Sequence, residues 1–211
     1  RKNGKILVRK WMKNMTSYNK ILKMIESNNG YITTQEIVSN KIDRKFLSNM
    51  VKKGMLVRIS RAYYGLPSYI EDEYYKLLSK SKNARFSMAT ALYLHNLSDR
   101  TPLIYNITVP YGYSGSLQKE KNVILNFVKK EILDLGVIEM TSPFGMKIKV
   151  YDIERTICDI IKNKNKIDAE IFSKALKEYA RSKNKNLTKL TKYAKIMNIE
   201  HKVREYMEVL L

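Results

Sequence analysis

Apolar positions in the first third of the chain recur at helical spacing and then switch to strand-like runs. Tyr18, Ile21, Leu22 and Ile25 make the inner stripe of a first helix, closed by Asn28-Asn29-Gly30. Thr34 to Ser39 reads as a short second helix, with Thr33 or Thr34 as N-cap and Glu36 near the capping-box position. After a tight turn at Asn40 and Lys41, a third helix is predicted from about Arg44 to Lys53. Asp43 is placed to cap it and Gly54 to end it. Phe46, Leu47, Met50 and Val51 form its apolar face; Arg44, Lys45, Ser48, Asn49 and Lys52 lie opposite. Two β-favouring runs follow, Leu56–Ile59 and Ala62–Leu66, joined by a short turn holding Ser60 and Arg61. Helix, turn, polar-faced helix and basic hairpin in that order describe a winged helix-turn-helix, a DNA-binding arrangement.

Further along, Glu71-Asp72-Glu73 interrupts the basic region, and a helix to about Leu78 is expected to link two domains. Ser87 is placed to cap a helix with Met88, Ala91, Leu92 and His95 on one side, and Asn96 can end it in the left-handed conformation. Strands are expected at Tyr105–Pro110 and Val123–Lys129. A hairpin is expected from Val137–Thr141 and Met146–Tyr151 around Ser142-Pro143-Phe144-Gly145. After Asp152 the pattern is helical to the end, with inner faces such as Ile153/Ile157/Ile160/Ile161 and Ile171/Phe172/Ala175/Leu176/Tyr179. The predicted class is α+β: an N-terminal winged helix-turn-helix domain and a C-terminal α/β domain ending in a helical segment. The expected organisation is a basic leader or appended segment over residues 1–14, the winged helix over 15–70, a linker helix over 71–83 and a second domain over 84–211. The chain opens on Arg, and Met15 is a candidate natural initiator.

Charge sharpens this picture. The net charge is +20, far beyond what solubility asks for, and it implies a polyanionic partner. No lipid-inserting amphipathic stretch accompanies the charge, so nucleic acid comes before membrane. Residues 1–70 carry 15 Lys and Arg against three acids, so most of the excess lies in the first third. With 44% apolar residues and 15 Tyr the chain can bury a core. Cys158, the single cysteine, sits among Ile157, Ile160 and Ile161 as a buried thiol, which fits a reducing, cytoplasmic setting.

Candidate catalytic chemistry is sparse. There is no phosphate-binding glycine loop and no Cys/His spacing suited to zinc. His95 and His201 stand far apart in sequence, and His95 reads as a capping or packing residue. Gly115-Ser116 begins like a nucleotidyltransferase signature, but the closely following pair of metal-binding carboxylates is missing. Asp152 and Glu154 read as helix N-terminal charges favoured by the dipole. A Lys185/Lys189/Lys192 face near the C-terminus could be simply solvated, or could meet an acidic partner or DNA backbone. No cofactor or metal is expected.

The blocks GYITTQEI…LVRISRAYYGLP, FSMATALYLHNLSDRTP, ITVPYGY and DIERTICDII, in that order, resemble the AbiEi family of antitoxins. One departure is Asn96, where the family pattern has Gly; Asn tolerates the same backbone conformation. The resemblance covers the chain from about Ser17 onward. It implies a type IV toxin–antitoxin system linked to phage abortive infection. The N-terminal domain would repress its own operon at promoter inverted repeats. The C-terminal domain would counter a cognate nucleotidyltransferase toxin, without necessarily forming a stable complex. The matched DNA-binding positions are Arg44, Lys45, Ser48, Asn49 and Lys52 on the recognition helix and Arg58 and Arg61 on the wing. A monomer that binds DNA in several copies is the expected state. Two alternatives stay open: a plain winged-helix regulator with a ligand-sensing or assembly domain, and a C-terminal domain that modifies the toxin or its substrate.

Overall fold

The computed structural model describes residues 16–28, 30–67 and 72–210. The expectations for residues 1–14, Met15, Asn29 and Glu71 lie outside the described residues. The chain divides into two compact units, Arg1–Lys76 with Pro143–Gly145, and Leu77–Ser142 with Met146–Leu211. The protein is α+β.

In the first unit, helix α1 (residues 16–27) is followed by β1 (Tyr31–Thr33), α2 (Thr34–Ser39), α3 (Lys45–Lys52), β2 (Val57–Ser60) and β3 (Tyr63–Gly65). The three strands form an antiparallel sheet in the order β1-β3-β2, with Tyr31 opposite Gly65 and Thr33 opposite Tyr63. The sequence pattern did not announce β1, because three residues after a glycine show no alternation. Ile21, Ile25, Ile32, Ile37, Leu47 and Met50 belong to one buried cluster. Each helix and β1 therefore contributes to a single small core.

Helix α4 (Glu73–Ser79) crosses the division between the units. The second unit then holds β4 (Arg85–Phe86), α5 (Met88–Leu94), β5 (Tyr105–Pro110), β6 (Val123–Val128), β7 (Val137–Thr141) and β8 (Lys147–Tyr151). Helices α6 (Ile153–Lys162), α7 (Ala169–Arg181), α8 (Leu187–Ile196) and α9 (Glu200–Leu210) complete it. The sheet order is β6-β5-β4-β8-β7, parallel at β5/β6 and β4/β8 and antiparallel at β4/β5 and β7/β8. Two-residue β4 joins the strand pairs, Arg85 opposite Thr108 and Phe86 opposite Val150. Ile157, Ile161, Leu176, Leu190, Val203 and Met207 tie the four C-terminal helices into one core. Asn96 adopts φ +57°, as its place at the end of α5 suggests. Ser87 occupies the N-cap position of α5 but its hydroxyl makes no cap bond; it accepts from Thr108 Oγ1 at 2.8 Å.

Candidate nucleic-acid interface

The helix pair α2–α3 is built by local side-chain bonds. Thr33 caps α2 by accepting from Glu36 N at 3.1 Å, and Glu36 Oε2 accepts from Thr33 N at 2.7 Å, a complete capping box. Asn28 Nδ2 also donates to Glu36 Oε1, at 3.0 Å, so the end of α1 is held to the same carboxylate. The turn is made by Lys41, with φ +56°, and Ile42 N returns to Ile37 O at 3.0 Å. Asp43 Oδ1 accepts from Lys45 N at 2.9 Å and so opens α3, although Arg44 is the formal N-cap residue. Gly54 closes the helix with φ +69°.

These constraints fix the rotation of α3. Leu47 and Met50 are fully buried, and Phe46 packs edge-on to Tyr18 with ring centroids 5.4 Å apart. Arg44, Lys45, Ser48, Asn49 and Lys52 are all exposed. The fork of Arg44 and the amide of Asn49 can make paired hydrogen bonds to guanine and adenine edges, while Lys45 and Lys52 suit phosphate. Lys53 is turned away from this set, with its ammonium 5.0 Å from the centre of the Tyr18 ring.

The wing differs slightly from its sequence expectation. Ser60 is the last residue of β2 rather than part of the turn, and the turn is Arg61–Ala62, with Ala62 at φ +71°. The register shifts between Arg58 and Ser60, because Arg58 faces Tyr64 and Ser60 faces Tyr63. Such a bulge re-aims a strand locally. Arg58 and Arg61 are both exposed. The wing turn is tied to the start of α2, since Ala62 O accepts from Thr34 N at 2.8 Å. That tie links wing and helix pair within one unit, and no sequence pattern signalled it.

Residues 19–67 match the AbiEi antitoxin family of transcriptional regulators. The AbiEi match includes α2, α3 and both wing strands, and thus all seven polar positions named above. No curated protein sequence matches the chain. Among solved structures, the crystal structure of the RV2827C protein from Mycobacterium tuberculosis is similar in fold, with a TM-score of 0.54 at 11% identity. That similarity covers 92% of this chain and 76% of the other.

The other candidate residues fall elsewhere. Lys185, Lys189 and Lys192 do not form one solvated face. Lys185 lies before α8 and its Nζ donates to Ser182 O at 3.3 Å. Lys189 Nζ sits 3.0 Å from Asp152 Oδ2 and 3.4 Å from Glu154 Oε2, and of the three only Lys192 is exposed. Burial opposes the Lys189 charge, but the bond to Asp152 and the field of both carboxylates outweigh it and raise its pKa. The reason is the depth of the two acids: Asp152 and Glu154 are buried. Asp152 caps α6 through Arg155 N at 2.8 Å and accepts from Tyr193 Oη at 3.0 Å. Burial first, and then Asp152, push the Tyr193 hydroxyl up to about 12.

Arg155 on α6 is fully buried, a core position that its charge does not suggest. Its Nε donates to Asp159 Oδ1 at 3.1 Å and its Nη1 to Ile132 O at 2.8 Å and Leu135 O at 3.0 Å. The guanidinium also lies over Tyr151, 4.3 Å from the ring centre. Gly136 makes room for it: with φ +74°, a Cβ there would stand 2.7 Å from Arg155 Cβ. His95, the C-cap residue of α5, donates from Nε2 to Tyr151 O at 2.7 Å. Cys158 is buried, which pushes its thiol up to about 12. Among the described residues no cluster of three His, Cys, Asp or Glu could hold a metal ion, and no helix is long and apolar enough to cross a membrane.

Proposed function

We propose that this protein is the antitoxin and autorepressor of a type IV toxin–antitoxin system active in phage abortive infection. In this reading α3 and the wing bind double-stranded DNA at inverted repeats in the protein's own promoter. Arg44 and Asn49 read base edges, Lys45, Ser48 and Lys52 meet the backbone, and Arg58 and Arg61 reach the flanking backbone or minor groove. A monomer in the cytoplasm binds the promoter in several copies. Residues 15–70 are the DNA-binding domain, 71–83 a linker, and 84–211 the antitoxin domain that counters a cognate nucleotidyltransferase without a lasting complex.

The observation that carries the DNA half is the exposed polar face of α3, turned outward by the burial of Leu47 and Met50 inside the AbiEi match. A gel shift with the chain's own promoter tests it. Arg44→Ala and Asn49→Ala should each weaken binding by about 1–3 kcal/mol and relax specificity, with unfolding unchanged. Wild-type binding by both variants overturns the assignment of the helix.

The family match ends at residue 67, before the second unit, and this favours a second reading for the C-terminal half. There the chain is a plain regulator whose second domain senses a ligand or mediates assembly. Expressing the toxin from an unrelated promoter separates the two. Rescue by a recognition-helix variant supports direct antitoxin action; loss of rescue means that protection works only through repression.

A further inference from the structure

The five-stranded sheet of the second unit has two edges, β6 and β7, and they are finished differently. Strand β7 carries Glu139, opposite Lys149 on β8. A charged side chain on an edge discourages the addition of another strand. Strand β6, Val123–Val128, holds neither a charge nor a proline, and its register with β5 is unbroken.

The hydrogen-bond phase of β6 follows from its ends. Tyr105 N donates to Asn122 O and Tyr111 N donates to Val128 O. In a parallel ladder a residue turns its N–H and C=O to the same side, and the side alternates along the strand. Residues 122, 124, 126 and 128 therefore face β5. Val123, Leu125 and Phe127 turn their backbone groups outward, where no further strand pairs with them among the described residues. Apolar side chains border this open ladder. Ile124 and Phe127 are 48% and 41% exposed, and the largely exposed Tyr111 stacks on Phe127 at 6.4 Å and 15°.

Charge selects the occupant. Lys119 and Lys121 precede the strand and Lys129 and Lys130 follow it, all exposed. Of the acids nearby, Glu120 is already bound to Lys80, which leaves Glu131. A second copy added antiparallel, β6 on β6, would set Lys121 of one molecule against Lys129 and Lys130 of the other, an unfavourable opposition.

We propose that β6 is a docking edge for an extended strand of a partner protein, apolar in its middle and acidic at both ends. Backbone bonds to Val123, Leu125 and Phe127 give affinity, and the lysine pairs select the charged ends. The proposal is independent of the DNA-binding reading.

The test uses the full chain and a labelled nine-residue peptide of alternating Val and Thr with Asp-Glu at each end, followed by fluorescence anisotropy. Saturable binding is expected. N-methylation of alternate peptide nitrogens, which leaves charge unchanged, should weaken it about tenfold or more. Replacing the acidic ends with Lys-Lys should do the same, as should Phe127→Lys in the protein. Equal affinity for the N-methylated peptide means that the +20 chain attracts any acidic peptide, and overturns the proposal. Absence of binding by the parent peptide overturns it too. So does a concentration-dependent dimer in sedimentation that Phe127→Lys abolishes, because a second copy then owns the edge.

Discussion

Helices α3 and α6 both place charged residues among apolar ones, and they use them in opposite ways. On α3 the polar positions lie outside the core, and Arg44, Lys45, Asn49 and Lys52 all reach solvent. On α6 they lie inside it: Glu154, Arg155 and Asp159 are each 5% exposed or less. Burying a charge is costly unless bonds replace its water. Accordingly Arg155 has two backbone carbonyls, a carboxylate and an aromatic face, and Glu154 accepts from Asn186 N at 3.1 Å. A charged helix face therefore marks a binding surface only after its internal partners have been counted. That count leaves α3 as the candidate interface and makes α6 the frame of the second unit.

The sharpest way to break this contrast is to remove one partner from the frame. Arg155→Met should destabilise the protein by about 3–5 kcal/mol, because it strands the buried Asp159 carboxylate and empties two carbonyl acceptors. Denaturant unfolding measures this directly. A change below about 1 kcal/mol would mean that the methionine restores as much packing as the network supplied, and that α6 tolerates an apolar core.

The lysines of α8 carry the same contrast at smaller amplitude. Lys189→Met should cost about 1–3 kcal/mol, toward the lower end because its ammonium is half-exposed and water takes over part of its role. Lys192→Met, on the same helix and exposed, should stay within about 0.5 kcal/mol. Equal effects would show that the Asp152–Glu154–Lys189 cluster contributes nothing specific.

The sequence made some of these features legible and hid others, for physical reasons. The T-x-x-E box at Thr33 and Glu36, the bounds of α2 and the outward face of α3 are local, set by residues within one or two turns. So are the hairpin β7–β8 and the left-handed stop at Asn96. Strands β1 and β4 were silent because three and two residues cannot show a period of two. Arg155 was silent because Ile132, Leu135 and Tyr151, which close over its guanidinium, lie outside α6, and the i,i+4 spacing to Asp159 looks the same on a solvated helix. The lysine face failed for the same reason: the acids that claim Lys189 sit 35 or more positions earlier in the chain.

On the interface side, charge can be separated from base reading through salt. Lys52→Ala should weaken all DNA sequences alike and lower the slope of log affinity against log salt by about one, with stability unaffected. Arg44→Ala should instead change the ranking of sequences. If both variants change only the salt slope, α3 binds backbone alone and specificity resides elsewhere.

The smallest effect comes from an exposed carboxylate with a structural role, which lies between the two extremes. Asp168 caps α7, its Oδ1 accepting from Glu170 N at 2.9 Å and Ile171 N at 3.2 Å. These backbone bonds, with a smaller contribution from Arg100, hold its carboxyl below the ordinary value. A depressed carboxyl contributes stability above its unfolded pKa, near about 3.9, and loses it as pH falls through the folded value. Asp168→Asn keeps an oxygen for the cap but cannot titrate. The stability gap between wild type and this variant should therefore be constant above about pH 5 and narrow below about pH 4, read by denaturant unfolding at each pH. A gap that stays constant into acid would mean that the amide loses cap geometry rather than charge. Asp152 caps α6 in the same manner, yet its second oxygen holds Lys189 and Tyr193 inside the unit. Asp152→Asn should therefore lower stability more than Asp168→Asn at neutral pH, since it breaks a buried network rather than a solvated cap.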